Sequence, residues 1–149
     1  MVSPAVLGRE HPLYNVNGVF NAVFVNGNVL GDAMFYGSGA GKLPTASAVV
    51  ADVVDEAKHL HRNIMTMWDE EKLTLLPIED TCKRFFVRMK GNAEERKQEI
   101  EAAFGQVRVV SVPELNDEFG FVTSVMSERE YQTNAEKFAD IIHMIRVED

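Results

Sequence analysis

Arg84-Phe85-Phe86-Val87-Arg88-Met89 is the stretch on which the reading of the fold turns. Its apolar and charged residues alternate well enough for a half-buried strand. After Lys90-Gly91-Asn92, the run Ala93 to Phe104 is charged and helix-forming, with Ile100, Ala103 and Phe104 as its apolar side. Gly105 is a natural stop for that helix. Val107 to Val112 is β-branched and predicts a second strand, Pro113 to Glu118 a polar turn, and Phe119 to Met126 a third strand. Ser127 can cap a helix that carries Glu128 and Glu130 near the positive end of its dipole. Tyr131, Ala135, Phe138 and Ala139 mark the predicted buried stripe of that helix, and Ile141 to Val147 closes the chain as a strand. The order βαββαβ predicts an α+β arrangement of the split-βαβ, ferredoxin-like kind: one antiparallel sheet with two helices on one face. A domain of this size has a limited core, and its open sheet face or edges predict pairing with a second copy, so a homo-oligomer, a dimer through this region, is expected.

Upstream the texture changes. Val16 to Val25 is rich in Val and Phe, and Val29 to Tyr36 is similar, with Asn26-Gly27-Asn28 between them. Asn-Gly readily takes positive φ, so this predicts a β-hairpin. Pro44 suits a helix start, and from Thr45 the residues Val49, Val50, Val53, Val54, Ala57 and Leu60 recur at helical spacing. Asp52, Asp55, Glu56 and Lys58 fill the opposite face, so an amphipathic helix is predicted to about Arg62. One hairpin and one helix cannot bury both faces of a sheet, so this part reads as a piece of something larger. Between the two parts, Arg62 to Asp80 holds Trp68, a charge cluster and Pro77. It predicts a connector with a helical first half, docked through Ile64, Met67 or Trp68. The predicted division is therefore residues 1–61, a connector 62–80, and a domain 81–149.

Gly37-Ser38-Gly39-Ala40-Gly41 is the sharpest local feature. Glycines between a strand and a helix start let a backbone approach a ligand, and amides at a helix N-terminus favour an anion such as phosphate. Two phosphate-binding motifs fail on spacing. A P-loop needs glycine where Tyr36 stands and Ser/Thr where Leu43 stands; the dinucleotide fingerprint needs G-x-G-x-x-G, whereas this loop is G-x-G-x-G with no following βαβ unit. Taken alone, the loop reads first as a tight strand-to-helix turn.

Composition narrows the classes further. The 149 residues carry a net charge of -8, with 46% hydrophobic and 26% charged residues, the balance of a soluble globular protein. Neither half has a basic stripe, which argues against nucleic acid or an anionic membrane as partner. The run Ala22 to Val25 is too short to span a bilayer, and Pro4, Arg9, Glu10, His11 and Pro12 interrupt any signal-peptide core, so the expected compartment is the cytoplasm. Cys82 is the single cysteine and gives neither a disulfide nor a ligand pattern. His59 and His61 straddle a helix end without partners at ligand spacing; Asp52 and Asp55 read as a solvated face, and His11 and His143 as structural residues. No metal site is expected.

A longer pattern gives the glycine loop a context. His11-Pro12-Leu13, then Val16 to Val23 (Val-Asn-Gly-Val-Phe-Asn-Ala-Val), then Met34 to Gly41 (Met-Phe-Tyr-Gly-Ser-Gly-Ala-Gly), then Leu43 to Val50 (Leu-Pro-Thr-Ala-Ser-Ala-Val-Val) occur in order. Over Val2 to Leu60 the chain resembles homoserine dehydrogenase in its long, regulated bacterial form. The resemblance implies that this stretch is the closing part of an NAD(P)-dependent catalytic core, with Gly39, Ala40 and Gly41 beside the nicotinamide cofactor. It also implies that the dinucleotide-binding unit, the catalytic lysine and the substrate-binding acids lie upstream, so no catalytic residue is assigned here and Lys42 reads as a solvated loop lysine. By itself the chain is then expected to be inactive and to hold no cofactor tightly. The second part resembles the regulatory ACT domain appended to such enzymes, ending in Ile145 to Asp149 (Ile-Arg-Val-Glu-Asp). ACT domains bind amino acids such as threonine, which places Gly91, Asn92 and Ala93 at the implied effector loop. That loop keeps Gly91 but lacks the family's acidic-x-Pro-Gly word. Three readings stay open for it: binding through the Gly91 and Asn92 amides, binding a different effector, or serving only as an assembly surface. A freestanding amino-acid-sensing or assembly module without catalysis is the alternative for the whole chain.

Overall fold

A computed structural model of the chain describes residues 2–115 and 117–148. It divides into two compact units, one of Met1–His11 with Thr74–Asp149 and the other of Pro12–Leu73. The predicted terminal word is described as far as Glu148; Asp149 lies outside the described residues, as does Asn116 within the predicted polar turn.

The first unit is α+β. It contains β1 (Ala5–Leu7), β4 (Cys82–Lys90), α2 (Ala93–Phe104), β5 (Arg108–Val110), β6 (Glu118–Val122), β7 (Met126–Ser127), α3 (Glu128–Ala135) and β8 (Ile141–Glu148), the second unit supplying the intervening β2, β3 and α1. The sheet order is β1-β8-β4-β6-β5, with β7 against the start of β4. Pairing is antiparallel throughout except that β1 runs parallel to β8, Ala5 beside Arg146. Strand β1 was not among the predicted elements: three residues are too few to show a period. It borders β8 where the sheet would otherwise present an edge.

Strand alternation sends Phe85, Val87 and Met89 of β4 to one face, where they meet Ile100 and Phe104 of α2, Phe119 and Phe121 of β6, and Tyr131 of α3. All are buried, and burial of these apolar side chains supplies the main stabilisation of the unit. Helix α2 keeps its predicted limits because Asn92 caps its start and Gly105, at φ 71°, ends it. Helix α3 begins at the predicted cap, where Ser127 and Glu130 form a reciprocal capping box. It stops at Ala135, short of the predicted stripe: Phe138 is buried from the turn that follows, and Ala139 is exposed. The predicted strand Phe119 to Met126 is broken into β6 and β7. The Thr123 hydroxyl accepts the Phe85 N–H at 3.1 Å, ending the ladder before residues 124–125 leave it.

Tyr131 stacks on Phe85 with ring centroids 4.4 Å apart and is 4% exposed. Burial, then the nearby Glu128 charge, pushes its phenol up to about 12 against the opposing pull of Arg146. The folded unit therefore favours the neutral phenol. That contribution is complete below the ordinary value near 10 and is lost as pH rises through about 12. Allowing for the phenol's partial access to solvent, the expected loss is roughly 1–2 kcal/mol, visible as alkaline destabilisation that parallels phenolate absorbance. A phenol titrating near its ordinary value would contradict the packing described.

The second unit holds β2 (Phe20–Gly27), β3 (Gly31–Ser38) and α1 (Lys42–Lys58). The predicted hairpin forms, but Asn26 pairs with Asp32 inside the ladder and the loop is residues 28–30. Positive φ falls on Gly31 (73°), so this second glycine, not Asn26-Gly27, supplies the turn. Helix α1 starts three residues before Thr45 and places Pro44 in its first turn, where a missing amide costs nothing. It ends at Lys58, not Arg62, because the His59 N–H folds back on Asp55 and Glu56 and His61 takes φ 65°. No residue of α1 is buried; Val49, Val50, Val53 and Val54 are 45–62% exposed. The predicted helix in the connector is absent: residues 62–77 carry no helix or strand, and Ile64, Met67 and Trp68 are exposed rather than docked. A short helix with no apolar surface to lie on does not recover its nucleation cost.

Candidate functional site

The glycine loop is built by the second unit alone. Residue pairing of β2 with β3 sets Asn21 beside Gly37, and its side chain then crosses Gly39. A Cβ on Gly39 would fall 2.5 Å from Asn21 Nδ2, so the loop uses this glycine for a close approach. Gly41 is the N-cap of α1 at φ 115° and ψ 153°, a conformation close to glycine's own territory. Its carbonyl accepts both the Thr45 N–H (3.2 Å) and the Thr45 hydroxyl (2.9 Å). No side chain caps α1 and no acid stands in its first turn. The positive end of the helix therefore opens on Gly39-Ala40-Gly41 without a neutralising carboxylate, the electrostatic setting that suits an anionic group. Ala40 and Lys42 are exposed there.

The other predicted loop belongs to the first unit. Gly91, at φ 106°, turns the chain from β4 into α2, and its N–H donates to the Asp117 carbonyl at 2.8 Å. Asn92 Oδ1 accepts the Glu94 N–H at 2.8 Å as the helix cap. The Gly91 amide, one of the two that a ligand held by the Gly91 and Asn92 amides would use, is thus already engaged in holding the turn. Arg96 reinforces it, donating to Asp140 and to Glu99, each at 2.9 Å. The Asp140 hydrogen bond holds the guanidinium above its ordinary value. Residues 91–93 line an open cleft of about 380 Å3 with Ser111, Leu115 and Phe119. The connection between β5 and β6 forms the far wall, a contribution the sequence hid inside a polar turn. The charged groups on the lining are Glu94 and Glu118, so the cleft favours a hydrogen-bond donor over a carboxylate. Asn92→Ala should cost about 1 kcal/mol of stability and speed exchange of the Glu94 amide, measured by thermal unfolding and hydrogen exchange. An unchanged Glu94 amide would show that the cap is not formed.

The two predicted loops lie in different units. Among the described residues, no group of three or more His, Cys, Asp or Glu side chains could hold a metal ion, and no helix is long and apolar enough to cross a membrane. His59 Nδ1 lies 3.5 Å from Asp55 Oδ1 at the end of α1, and Cys82 is exposed.

Residues 1–54 match the family model for homoserine dehydrogenase. The chain is 43% identical over 96 residues to a homoserine dehydrogenase of Synechocystis, a match covering 58% of this chain and 22% of that protein. It is 58% identical over 53 residues to the Lactococcus lactis enzyme, covering 36% and 12%. Among solved structures, a homoserine dehydrogenase from Thiobacillus denitrificans aligns with a TM-score of 0.74 at 25% identity, over 99% of this chain and 38% of that one. The chain spans well under half the length of the relatives it matches.

Proposed function

We propose, on the premise that this chain matches part of a homoserine dehydrogenase, that it serves the NAD(P)-dependent interconversion of L-homoserine and L-aspartate 4-semialdehyde, in the biosynthesis of threonine, methionine and isoleucine. The observation that carries this is the alignment of 99% of the chain with a single solved homoserine dehydrogenase. In this reading residues 1–61 belong to the catalytic part, 62–80 connect, and 81–149 form an ACT-type domain of ferredoxin-like topology. The strand order β8-β4-β6-β5, antiparallel with α2 and α3 on one face, supports that topology. Gly39, Ala40 and Gly41 would lie against NAD(P): the uncapped start of α1 suits an anionic group, and the glycines admit it closely. Bound there, the cofactor supplies hydride transfer. This chain's loop contributes position and charge, and no residue of it is assigned to proton transfer.

The ACT-type domain would bind an amino-acid effector such as threonine at Gly91, Asn92 and Ala93 and join a second copy. The outer edge of β5, the last strand on its side of the sheet, is the surface offered for pairing. The proposed compartment is the cytoplasm. The chain alone should show no NAD(P)-dependent oxidation of homoserine, and measurable turnover by it would overturn the assignment of the catalytic residues to another segment.

A second reading, an amino-acid-sensing or assembly module without catalysis, is favoured by one observation: the first unit has a buried core of its own, while α1 buries nothing. Calorimetry with L-threonine separates the roles of the loop. Heat that Gly91→Asp weakens supports an effector site; no heat at millimolar threonine counts against threonine as the effector and favours a structural role.

A further inference from the structure

We propose that β1 is a strand lent by the catalytic part to the sheet of the ACT-type domain, and that its docking on β8 is a latch coupling that sheet to the glycine loop. The names of the two parts rest on the reading above; the latch itself does not need them. Ala5–Leu7 falls inside residues 1–54, the stretch that matches the homoserine dehydrogenase family, together with the hairpin and most of α1. In space it belongs to the other unit, which gathers Met1–His11 with Thr74–Asp149. The strand docks as an added peptide does on a sheet edge: main-chain pairing holds it, and alternate side chains set its register. Ala5, Val6 and Leu7 lie beside Arg146, Val147 and Glu148, the last described residues of β8. On its other side the same end of β8 pairs with β4, Phe85 beside Arg146 and Arg84 beside Val147. Arg146 Nε donates to the carboxylate of buried Glu128 at the start of α3, and Lys83 of β4 pairs with Glu148. Docking of β1 therefore bears directly on the junction of β8, β4 and α3.

The docked state is held only marginally. Three residues make a short parallel ladder, Ala5 and Val6 are exposed, and Leu7 alone is half-buried. An edge strand with so little buried surface opens locally at a small free-energy cost, so docked and released states are both within reach. The chain after β1 passes the difference on. Turn hydrogen bonds run from the His11 N–H to the Gly8 carbonyl, from Val16 to Leu13 and from Phe20 to Asn17, at 3.1, 3.1 and 3.3 Å. The last of them enters β2, where Asn21 crosses Gly39. The other chain connection offers no such path: among the described residues, 63–76 make no backbone–backbone hydrogen bond. Release of β1 thus loosens the turns that position Asn21. A change at Gly39 is felt at β8 in return, since coupling between two sites is reciprocal.

Hydrogen exchange of the full chain, with no effector or cofactor added, tests the latch. Ala5→Gly, Val6→Gly and Leu7→Gly together keep the chain length and raise the entropy lost on docking. Exchange at those amides of residues 146–148 that face β1 should rise by about tenfold or more, and exchange at Asn21 and Gly39 should rise with it. The Phe119 and Phe121 amides of β6 should keep their protection. Gly39→Ala, whose Cβ would meet Asn21 Nδ2 at 2.5 Å, should in turn raise exchange at the same amides of 146–148. That response should vanish when a flexible Gly-Ser stretch is inserted after Arg9 and persist when it is inserted after Glu71. Unaltered exchange at 146–148 in the triple-glycine variant would show that β1 does not dock. Opening of β8 with Asn21 and Gly39 unmoved, or a Gly39→Ala response that only the Glu71 insertion abolishes, would overturn the coupling. Threonine calorimetry and homoserine oxidation take no part in these readouts, so failure of the latch is distinct from failure of the functional reading.

Discussion

Phe104→Ala is expected to unfold the first unit or bring it to the edge of unfolding. The ring is 2% exposed and lies 5.5 Å from Phe121, 5.9 Å from Tyr131 and 5.6 Å from Phe138, centroid to centroid. It thereby joins α2 to β6, to α3 and to the turn after α3. Truncation removes the transfer energy of the ring and leaves a cavity whose walls are themselves rings, which do not collapse into it cheaply; the cost of such a change is about 3–5 kcal/mol. Domains of this size have about 5–15 kcal/mol to lose, with the low end expected for a unit whose core is one layer thick. Urea unfolding followed by far-ultraviolet circular dichroism would show the midpoint falling sharply or the transition disappearing. Val50→Ala, at a position 59% exposed in α1, is the contrast: its effect should be within a few tenths of a kcal/mol. A Phe104 variant as stable as the Val50 variant would mean that the helices do not seat on the sheet as described.

The difference between these two valine and phenylalanine positions also explains which parts of the fold were legible in the sequence. In the second half, local signals and tertiary contacts agree. Ser127 with Glu130, Asn92, and Gly105 each act on the backbone within a turn, so the helix starts and the α2 stop can be read residue by residue. Alternation in β4 works because one face of the sheet is buried. The failures occur where a long-range partner decides. Strand β1 exists only because β8 lies beside it, and the predicted third strand ends early only because Thr123 meets Phe85 from across the ladder. In the second unit the valine stripe of α1 is a real amphipathic signal, yet it has no buried residue. The connector shows the converse: Met67 and Trp68 are large and apolar, and neither periodicity nor docking follows. As for the sites, the glycine loop was visible as composition, and its electrostatics follow from what is missing at the α1 cap. The cleft beside Gly91 was not visible, since its far wall, from Ser111 to Phe119, lies about twenty or more positions away in the chain and only strand register brings it near.

Glu128→Ala should be nearly as damaging as the loss of Phe104, for an electrostatic reason. Glu128 is 2% exposed, and its carboxylate accepts Arg146 Nε at 2.9 Å and Arg146 Nη2 in a second bond. Its backbone N–H donates to the Thr81 carbonyl at 3.0 Å, so the first turn of α3 is tied to the segment before β4 and, through Arg146, to β8. Arg146 sits on β8 opposite Phe85 on one side and Ala5 on the other, with its side chain 17% exposed. Removing the carboxylate leaves a guanidinium in place without its counter-charge, a loss of about 3–5 kcal/mol for a fully buried pair. The lower part of that range is expected, since Arg146 keeps some reach to water. Two further variants separate the ion pair from simple packing. Arg146→Ala strands the more deeply buried carboxylate and should cost at least as much. Glu128→Met with Arg146→Leu buries no orphan charge and should recover most of the loss, so the double-variant cycle carries a large coupling energy. Tyr131 reports the same event independently. Glu128 is one of the two causes that hold its phenol high, so Glu128→Ala should lower its alkaline titration from about 12 while burial keeps it above the ordinary value. Strictly additive losses, or a Tyr131 titration that does not move, would show that the carboxylate is not placed between α3 and β8 as the fold requires.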